Sequence, residues 1–190
     1  KKEIKILDIG CGDGSFLKLT KMNFENTSLY GSEFTHHVYK YLRKLLKINF
    51  FYKQTSSEIK KKINFKFDLI TLWGVMEHLS DPLTELKNIE KILEANGKIL
   101  ILVPNYNSRA RKIFGISAPT LNPRGHLHFY SQKSMKILAN KSQLKILKFN
   151  QELPIIDLMY PHIKYNKKLL ADIIRKKECY YHIYILGKKR

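Results

Sequence analysis

Three glycines at alternate positions, Gly10, Gly12 and Gly14, follow Asp8 and a short apolar run from Ile4 to Ile9. Glycine lets a chain turn sharply and lets its backbone approach a ligand closely. A helix starting just afterwards offers free N–H groups. Asp8-x-Gly10-x-Gly12-x-Gly14 is therefore the stretch best suited to cradle a small molecule. Two other glycine loops compete for it. A phosphate-binding P-loop needs a Lys-Ser/Thr pair after its last glycine, and none stands at that spacing. A dinucleotide fingerprint needs glycine or alanine where this chain has Ser15. Proton transfer has separate candidates. His78 follows Glu77, and His126 and His128 flank Leu127. In an extended chain the latter two point the same way, and histidine is the usual base near neutral pH. Arg109, Arg111 and Arg124 could clamp an anionic substrate, while Tyr106 and Tyr130 are candidate pocket liners. His36 and His37 begin a helical stretch and are expected to be exposed.

The elements that position these residues can be read from periodicity. Short strands are expected over 4–9, 28–32, 48–52, 98–103, 144–150 and 178–186. Residues 67–73 form a near-continuous apolar run of the kind buried on both faces. Helices are expected from Ser15, taken as a cap, and over 35–47, 56–62 and 166–177. Asp81-Pro82 supplies a cap and first-turn proline for a helix that Asn96-Gly97 should stop. Ser131 caps another, reaching about residue 140. Residues 104–127 and 151–165 lose periodicity and are expected to be irregular. Long irregular stretches tend to be functional. Strand–helix alternation implies a parallel sheet covered on both faces, with ligands outside the carboxyl ends of its strands.

The chain has 190 residues, 44% hydrophobic and 27% charged, which is globular composition. That length suits one domain, 1–190, with 104–127 and 151–177 as substrate-side insertions or a lid. The longest apolar run, Ile99 to Val103, is far too short for a membrane-spanning helix. Cys11 and Cys179 form neither a disulfide framework nor a zinc motif, so a reducing, cytoplasmic setting is expected. The formal charge is +19. The lysines behind it, such as Lys60 to Lys62, are spread over many elements and do not interleave with aromatics as a nucleic-acid stripe would. The excess reads as background, and no specific nucleic-acid partner is expected.

The stretch KILDIGCGDGSFL around the glycine loop resembles motif I of class I S-adenosylmethionine-dependent methyltransferases. FDLITLWGVMEHLSDP resembles the segment after that family's fourth strand, GHLHFYS its small-molecule branch of types 11 and 23, and YYHIYILGKK its antiparallel last strand. The resemblance implies an α/β fold: a Rossmann-like, doubly wound, seven-stranded, mostly parallel sheet with the last strand antiparallel. It implies S-adenosyl-L-methionine as cofactor and S-adenosyl-L-homocysteine as product. Asp8, Gly10, Cys11, Gly12 and Gly14 would form the cofactor loop. Glu33 falls where the family's acid ends the second strand and holds the ribose hydroxyls. Phe34 would lie against the adenine, and Leu72 and Trp73 would flank the cofactor.

From their chemistry, His78, His126 and His128 are the candidates for the base, and Arg124, Tyr106 and Arg109 those for meeting the substrate. Quinone-type relatives pair E-x-x-E-H with a divalent metal. Here Gly74 holds the first acidic place, so no metal is expected. Gln54-Thr55-Ser56-Ser57 replaces the acid that usually neighbours the adenine. Members of that family usually carry cap helices before the first strand, and since this sequence opens at that strand, such a lid is expected to have been removed or to come from elsewhere. The implied activity is methylation of an oxygen or nitrogen of a small anionic or sugar-type metabolite. The alternatives are ribose methylation of RNA, or an inactive cofactor-binding subunit. Base methylation is disfavoured, because Leu72-Trp73-Gly74-Val75 replaces the Asn/Asp-Pro-Pro-aromatic motif. Oligomeric state leaves no mark on the sequence.

Overall fold

The computed structural model describes residues 2–46, 48–118, 121, 124–153 and 166–189. Five strands are joined by helices in the expected alternation: β1 (Ile4–Ile9), α1 (Ser15–Asn23), β2 (Thr27–Glu33), α2 (His36–Leu46), β3 (Asn49–Tyr52), α3 (Ser56–Lys62), β4 (Phe67–Trp73), a 3-10 turn at Met76–His78, α4 (Pro82–Ile92) and β5 (Leu93–Pro104). There follow α5 (Arg109–Phe114), a second 3-10 turn (Gly115–Ser117), α6 (Gln132–Lys141), β6 (Leu144–Glu152), α7 (Lys167–Arg175) and β7 (Tyr181–Lys188). The strands form one seven-stranded sheet in the order β3-β2-β1-β4-β5-β7-β6. Strands β1 to β5 pair in parallel, and β7 runs antiparallel to both β5 and β6. This is the Rossmann-like architecture implied by the resemblance. No helix among the described residues is long and apolar enough to cross a membrane.

Alternation along the strands builds a core on each face. Leu7 and Ile9 of β1 point to the layer holding Ile59 of α3, Leu86 and Ile89 of α4, and Met135 of α6. Ile6 points to the other layer, with Leu17 of α1 and Leu42 of α2. A third, smaller cluster joins Ala110 of α5, Ile173 of α7 and Cys179. At about 25 cal/mol for each Å² of apolar surface removed from water, such burial is the main stabiliser of the fold.

Four local expectations are corrected. Ser15 is the first helical residue and not the cap: Gly14 caps α1 at φ 75, a left-handed conformation that glycine adopts without strain. Asp13 supports the turn by accepting from the Ser15 amide at 3.0 Å and hydroxyl at 2.8 Å. Helix α4 stops at Ile92, before Asn96-Gly97, and the chain is extended from Leu93. Gly97 serves close approach instead, since a Cβ there would stand 2.8 Å from Leu93 Cδ1 and 3.0 Å from the Phe67 carbonyl oxygen. The stretch 104–127 is not wholly irregular, because Ser108 caps α5 by accepting from the Arg111 amide at 3.2 Å. The last strand starts at Tyr181 and not at Glu178. The segment 154–165, and with it most of the expected irregular stretch, lies outside the described residues.

Candidate functional site

The carboxyl ends of β1, β2 and β4 converge on one cavity of about 950 Å³. Gly10, Gly12 and Gly14 all have positive φ, of 63, 51 and 75. The loop they make is fixed from two sides. A Cβ at Gly10 would meet Val75 Cγ2 at 2.7 Å, and the Cys11 amide donates to the Ser32 carbonyl at 3.0 Å. Glu33, the last residue of β2, crosses to this loop. Its Oε2 accepts from the Gly12 amide at 3.0 Å, while Oε1 accepts from the amides of Phe34 at 2.7 Å and Thr35 at 2.8 Å. Gly10, Glu33 and Phe34 line the cavity with Gln54, Gly74 and His78.

The other loop residues lie deeper. Asp8 is 1% exposed and accepts from the Thr71 hydroxyl at 2.7 Å. Burial pushes its carboxyl up to about 7, against the pull of the Thr71 hydrogen bond. Burial likewise pushes the Cys11 thiol up, so it is no nucleophile at neutral pH. Leu72 is fully buried, and Trp73 packs against Phe16 with ring centroids 5.4 Å apart. The structure thus brings Gly10, Glu33 and Phe34 to the cavity wall and sets Asp8, Cys11 and Leu72 behind it.

These residues fit a nucleoside group. Glu33 is a carboxylate fixed at a strand end, the geometry that accepts from a cis-diol. Gln54 Oε1 is buried and has no hydrogen-bond partner among the described residues, so the cavity holds an acceptor awaiting a donor. Of the stretch Gln54-Thr55-Ser56-Ser57, Gln54, Thr55 and Ser57 line the cavity. The Ser32 hydroxyl, donating to the Gln54 carbonyl at 2.9 Å, holds that stretch against β2.

A second group of residues meets the cavity through the 3-10 turn Met76–His78. His78 lines it, and its Nδ1 lies 2.6 Å from the Gly125 carbonyl oxygen. A carbonyl only accepts, so Nδ1 carries the proton and Nε2 carries the lone pair. The His126 ring stands edge-on to that of His78, with centroids 4.9 Å apart. The segment bearing His126 is strapped to the turn by the Glu77 carbonyl, which accepts from the amides of Leu127 at 2.7 Å and His128 at 3.1 Å. Tyr130 adds a hydroxyl donated to the Met76 carbonyl at 3.0 Å. His128 faces Tyr130 instead, at 6.4 Å, so the two histidines flanking Leu127 do not share surroundings.

Glu77 is 3% exposed, and burial pushes its carboxyl up while the charges of His78 and His126 pull it down. Its Oε2 has no partner among the described residues. Ligand-type atoms of Glu77, His78 and His126 all lie within 4.8 Å of one another. An acid and two imidazoles form a donor set that suits a transition metal and also one that can pass a proton. No metal is expected from the sequence, where nothing brings His126 to Glu77; the fold does so across the intervening chain.

The cationic candidates divide. Arg124 is exposed. Arg109 directs Nε to Glu178 Oε2 at 2.5 Å and an amino group to Asp172 at 2.8 Å, holding α5 against α7. Two of its donors are thus committed to the protein itself. Tyr106 is 38% exposed and carries the Arg111 guanidinium over its ring, 4.1 Å from the centroid. Tyr130, by contrast, is buried.

A ubiquinone biosynthesis O-methyltransferase of Coxiella burnetii is 30% identical over 131 residues, covering 67% of this chain and 56% of that protein. A tRNA U34 carboxymethyltransferase of Campylobacter concisus is 28% identical over 99 residues, 50% of this chain and 34% of that protein. The chain therefore spans between a third and somewhat over half of the length of these relatives. A SAM-dependent methyltransferase structure from Archaeoglobus fulgidus shares the fold, with a TM-score of 0.67 at 21% identity over 98% of this chain and 86% of that one. The family model described as "Methyltransferase domain" matches residues 1–148, which include the glycine loop, Glu33, Glu77, His78 and the 125–131 segment. The chain belongs to this family of S-adenosylmethionine-dependent methyltransferase domains.

Proposed function

We propose that this chain transfers a methyl group from S-adenosylmethionine to an oxygen or nitrogen of a small molecule, with His78 accepting the acceptor's proton. The observation that carries the reading is that Glu33 and His78 open into one cavity, the first at the end of β2 and the second after β4. Glu33 would accept from the ribose hydroxyls, Phe34 would lie against the base, and Gln54 Oε1 would accept from an exocyclic amine. The bound cofactor supplies a sulfonium methyl whose leaving group is already good. The residues of the chain then have two tasks, orientation and deprotonation. The Gly125 carbonyl fixes the His78 tautomer with its lone pair on Nε2, which is the state a general base needs. Removing the acceptor proton leaves imidazolium, with ligand-type atoms of Glu77 and His126 within 4.8 Å.

Calorimetry and turnover test the two halves separately. Glu33→Ala is expected to weaken S-adenosylhomocysteine binding by about 1.5–3 kcal/mol, as loss of charged hydrogen bonds does. No binding by the wild-type protein would remove the reading. His78→Ala is expected to lower kcat by about 10²–10⁴-fold with cofactor affinity kept, and an unchanged rate would remove His78 as base. Dialysis against EDTA is expected to leave the rate unchanged.

A second reading is methylation of an RNA, favoured by the tRNA-modifying relative. Sequence-selective RNA binding at physiological salt would support it. Weak binding with a steep salt slope would mean charge alone. An inactive cofactor-binding subunit would bind S-adenosylhomocysteine and show no turnover for His78→Ala to reduce.

A further inference from the structure

Helix α5 carries three cations, Arg109, Arg111 and Lys112, and the structure treats them differently. Arg109 and Lys112 are both paired with Glu178, and Arg109 also with Asp172. Arg111 takes part in no ion pair among the described residues. Its guanidinium sits over Tyr106 with Cζ 4.1 Å from the ring centroid, and its Nε is shielded from solvent without a hydrogen-bond partner among the described residues. A buried donor left unpaired costs free energy, and here the donor belongs to a charged group. Stacking covers the faces of a guanidinium and leaves its edge N–H groups for planar, bidentate recognition of carboxylate or phosphate.

The surroundings connect this group to the cavity. The Tyr106 ring lies 6.3 Å from Phe129, Phe129 lies 6.4 Å from His126, and His126 lies 4.9 Å from His78. Tyr106 and Phe129 are 38% and 40% exposed, so the row is open to a ligand. It is also held in place. The Tyr106 amide donates to the Tyr130 carbonyl at 2.8 Å, and Asn105 beside it bridges to the same segment. Asn105 is anchored in turn by side-chain donation to the carbonyls of Lys177 at 3.1 Å and Cys179 at 2.9 Å.

We infer that Arg111, stacked on Tyr106, anchors an anionic group of the methyl acceptor, a carboxylate or a phosphate, while the acceptor's hydroxyl or amine reaches His78 along the row of rings. This rests on the methyl-transfer reading. It assigns substrate recognition to Arg111, with Arg109 serving the helix pair.

Benzoate and phenyl phosphate are the probes, with benzyl alcohol as the uncharged control. Each is titrated into the ¹⁵N-labelled protein, following the Arg111 Nε–H resonance, identified by its disappearance in Arg111→Gln. At least one anion is expected to shift that resonance, and the stronger binder identifies carboxylate or phosphate as the recognised group. Benzyl alcohol should leave it unmoved. Arg111→Gln should weaken anion binding by about tenfold or more, and Arg111→Lys by less, because a point charge keeps attraction but loses the fork. Lys18→Gln, which removes an equal charge from exposed α1, should change nothing. No shift with either anion, equal weakening by Lys18→Gln, or unchanged binding in Arg111→Gln would each overturn the inference. S-adenosylhomocysteine affinity is measured on the same samples. Its absence in the wild type refutes the methyl-transfer reading, whereas its presence without anion binding refutes the anchor alone. If Arg111→Gln loses S-adenosylhomocysteine binding through misfolding, Arg111→Lys decides.

Discussion

Asp8 is held where a charge is costly. Its carboxylate accepts from the Thr71 hydroxyl, and burial raises its carboxyl to about 7 from 3.8. An acid whose folded value lies above its unfolded one stabilises the fold fully below the unfolded value, and the benefit is lost as pH rises through the folded one. Wild-type stability from this group should fall by about 1.4 kcal/mol per pH unit between about 4 and 7 and then level off. Asp8→Asn keeps an oxygen for Thr71 and removes the titration. The variant should therefore gain on the wild type between pH 5 and pH 8, read as the difference in urea midpoints. Parallel curves would mean that Asp8 is already solvated or paired. Glu33 is held differently, its two oxygens accepting from the amides of Gly12, Phe34 and Thr35.

Helices α5 and α7 depend on a pairing of charges. Burial works against the charge on Glu178, and hydrogen bonds from Lys112 and Arg109 outweigh it, holding its carboxyl below the usual range. Glu178→Gln keeps the shape but leaves Lys112 without its carboxylate. A loss of about 2 kcal/mol is expected, with hydrogen exchange quickening in α5 and α7 and cofactor affinity kept. Exchange quickening evenly over all the helices would contradict this local role. The pairing also shows what the sequence could convey. Local signals served well: β4 runs over the predicted 67–73, and Asp81 caps α4 by accepting from the Thr84 amide at 3.0 Å. Glu33, expected from the resemblance at the end of the second strand, is the last residue of β2. Signals needing distant partners were missed. Arg109 finds Glu178 and Asp172 far along the chain, and α5 has only six residues, too few for a helical period to show. The meeting of Glu77 with His126 is likewise set by the strap between the 3-10 turn and residues 125–130. Gly97 was misread because glycine marks both helix ends and close backbone approach, and only the Phe67 carbonyl decides between them.

Across the whole molecule, thirty-five cationic side chains face sixteen acids, and most of the lysines are exposed. Self-repulsion opposes compaction and is screened by salt. Raising sodium chloride from low concentration to about 0.3 M should relieve about 1 kcal/mol, a rise in Tm of about 2–4 °C for a chain of this size. A falling Tm would show that the ion pairs of α5 and α7 outweigh the general repulsion. The sheet order has a further consequence, one of timing. Strand β7 follows β6 in the chain yet lies between β5 and β6. A ribosome releases β1 to β5 in an order that lets each parallel strand join a neighbour already present. Strand β6 then emerges before β7, its neighbour in the sheet, while β5 waits with the edge at Ile99, Ile101 and Val103 open. The assembly is closed by the arrival of Tyr181–Lys188, which pairs both ways at once. A nascent chain halted before Tyr181 would thus present two unpaired strand edges, the kind of surface that trigger-type chaperones and proteases meet first.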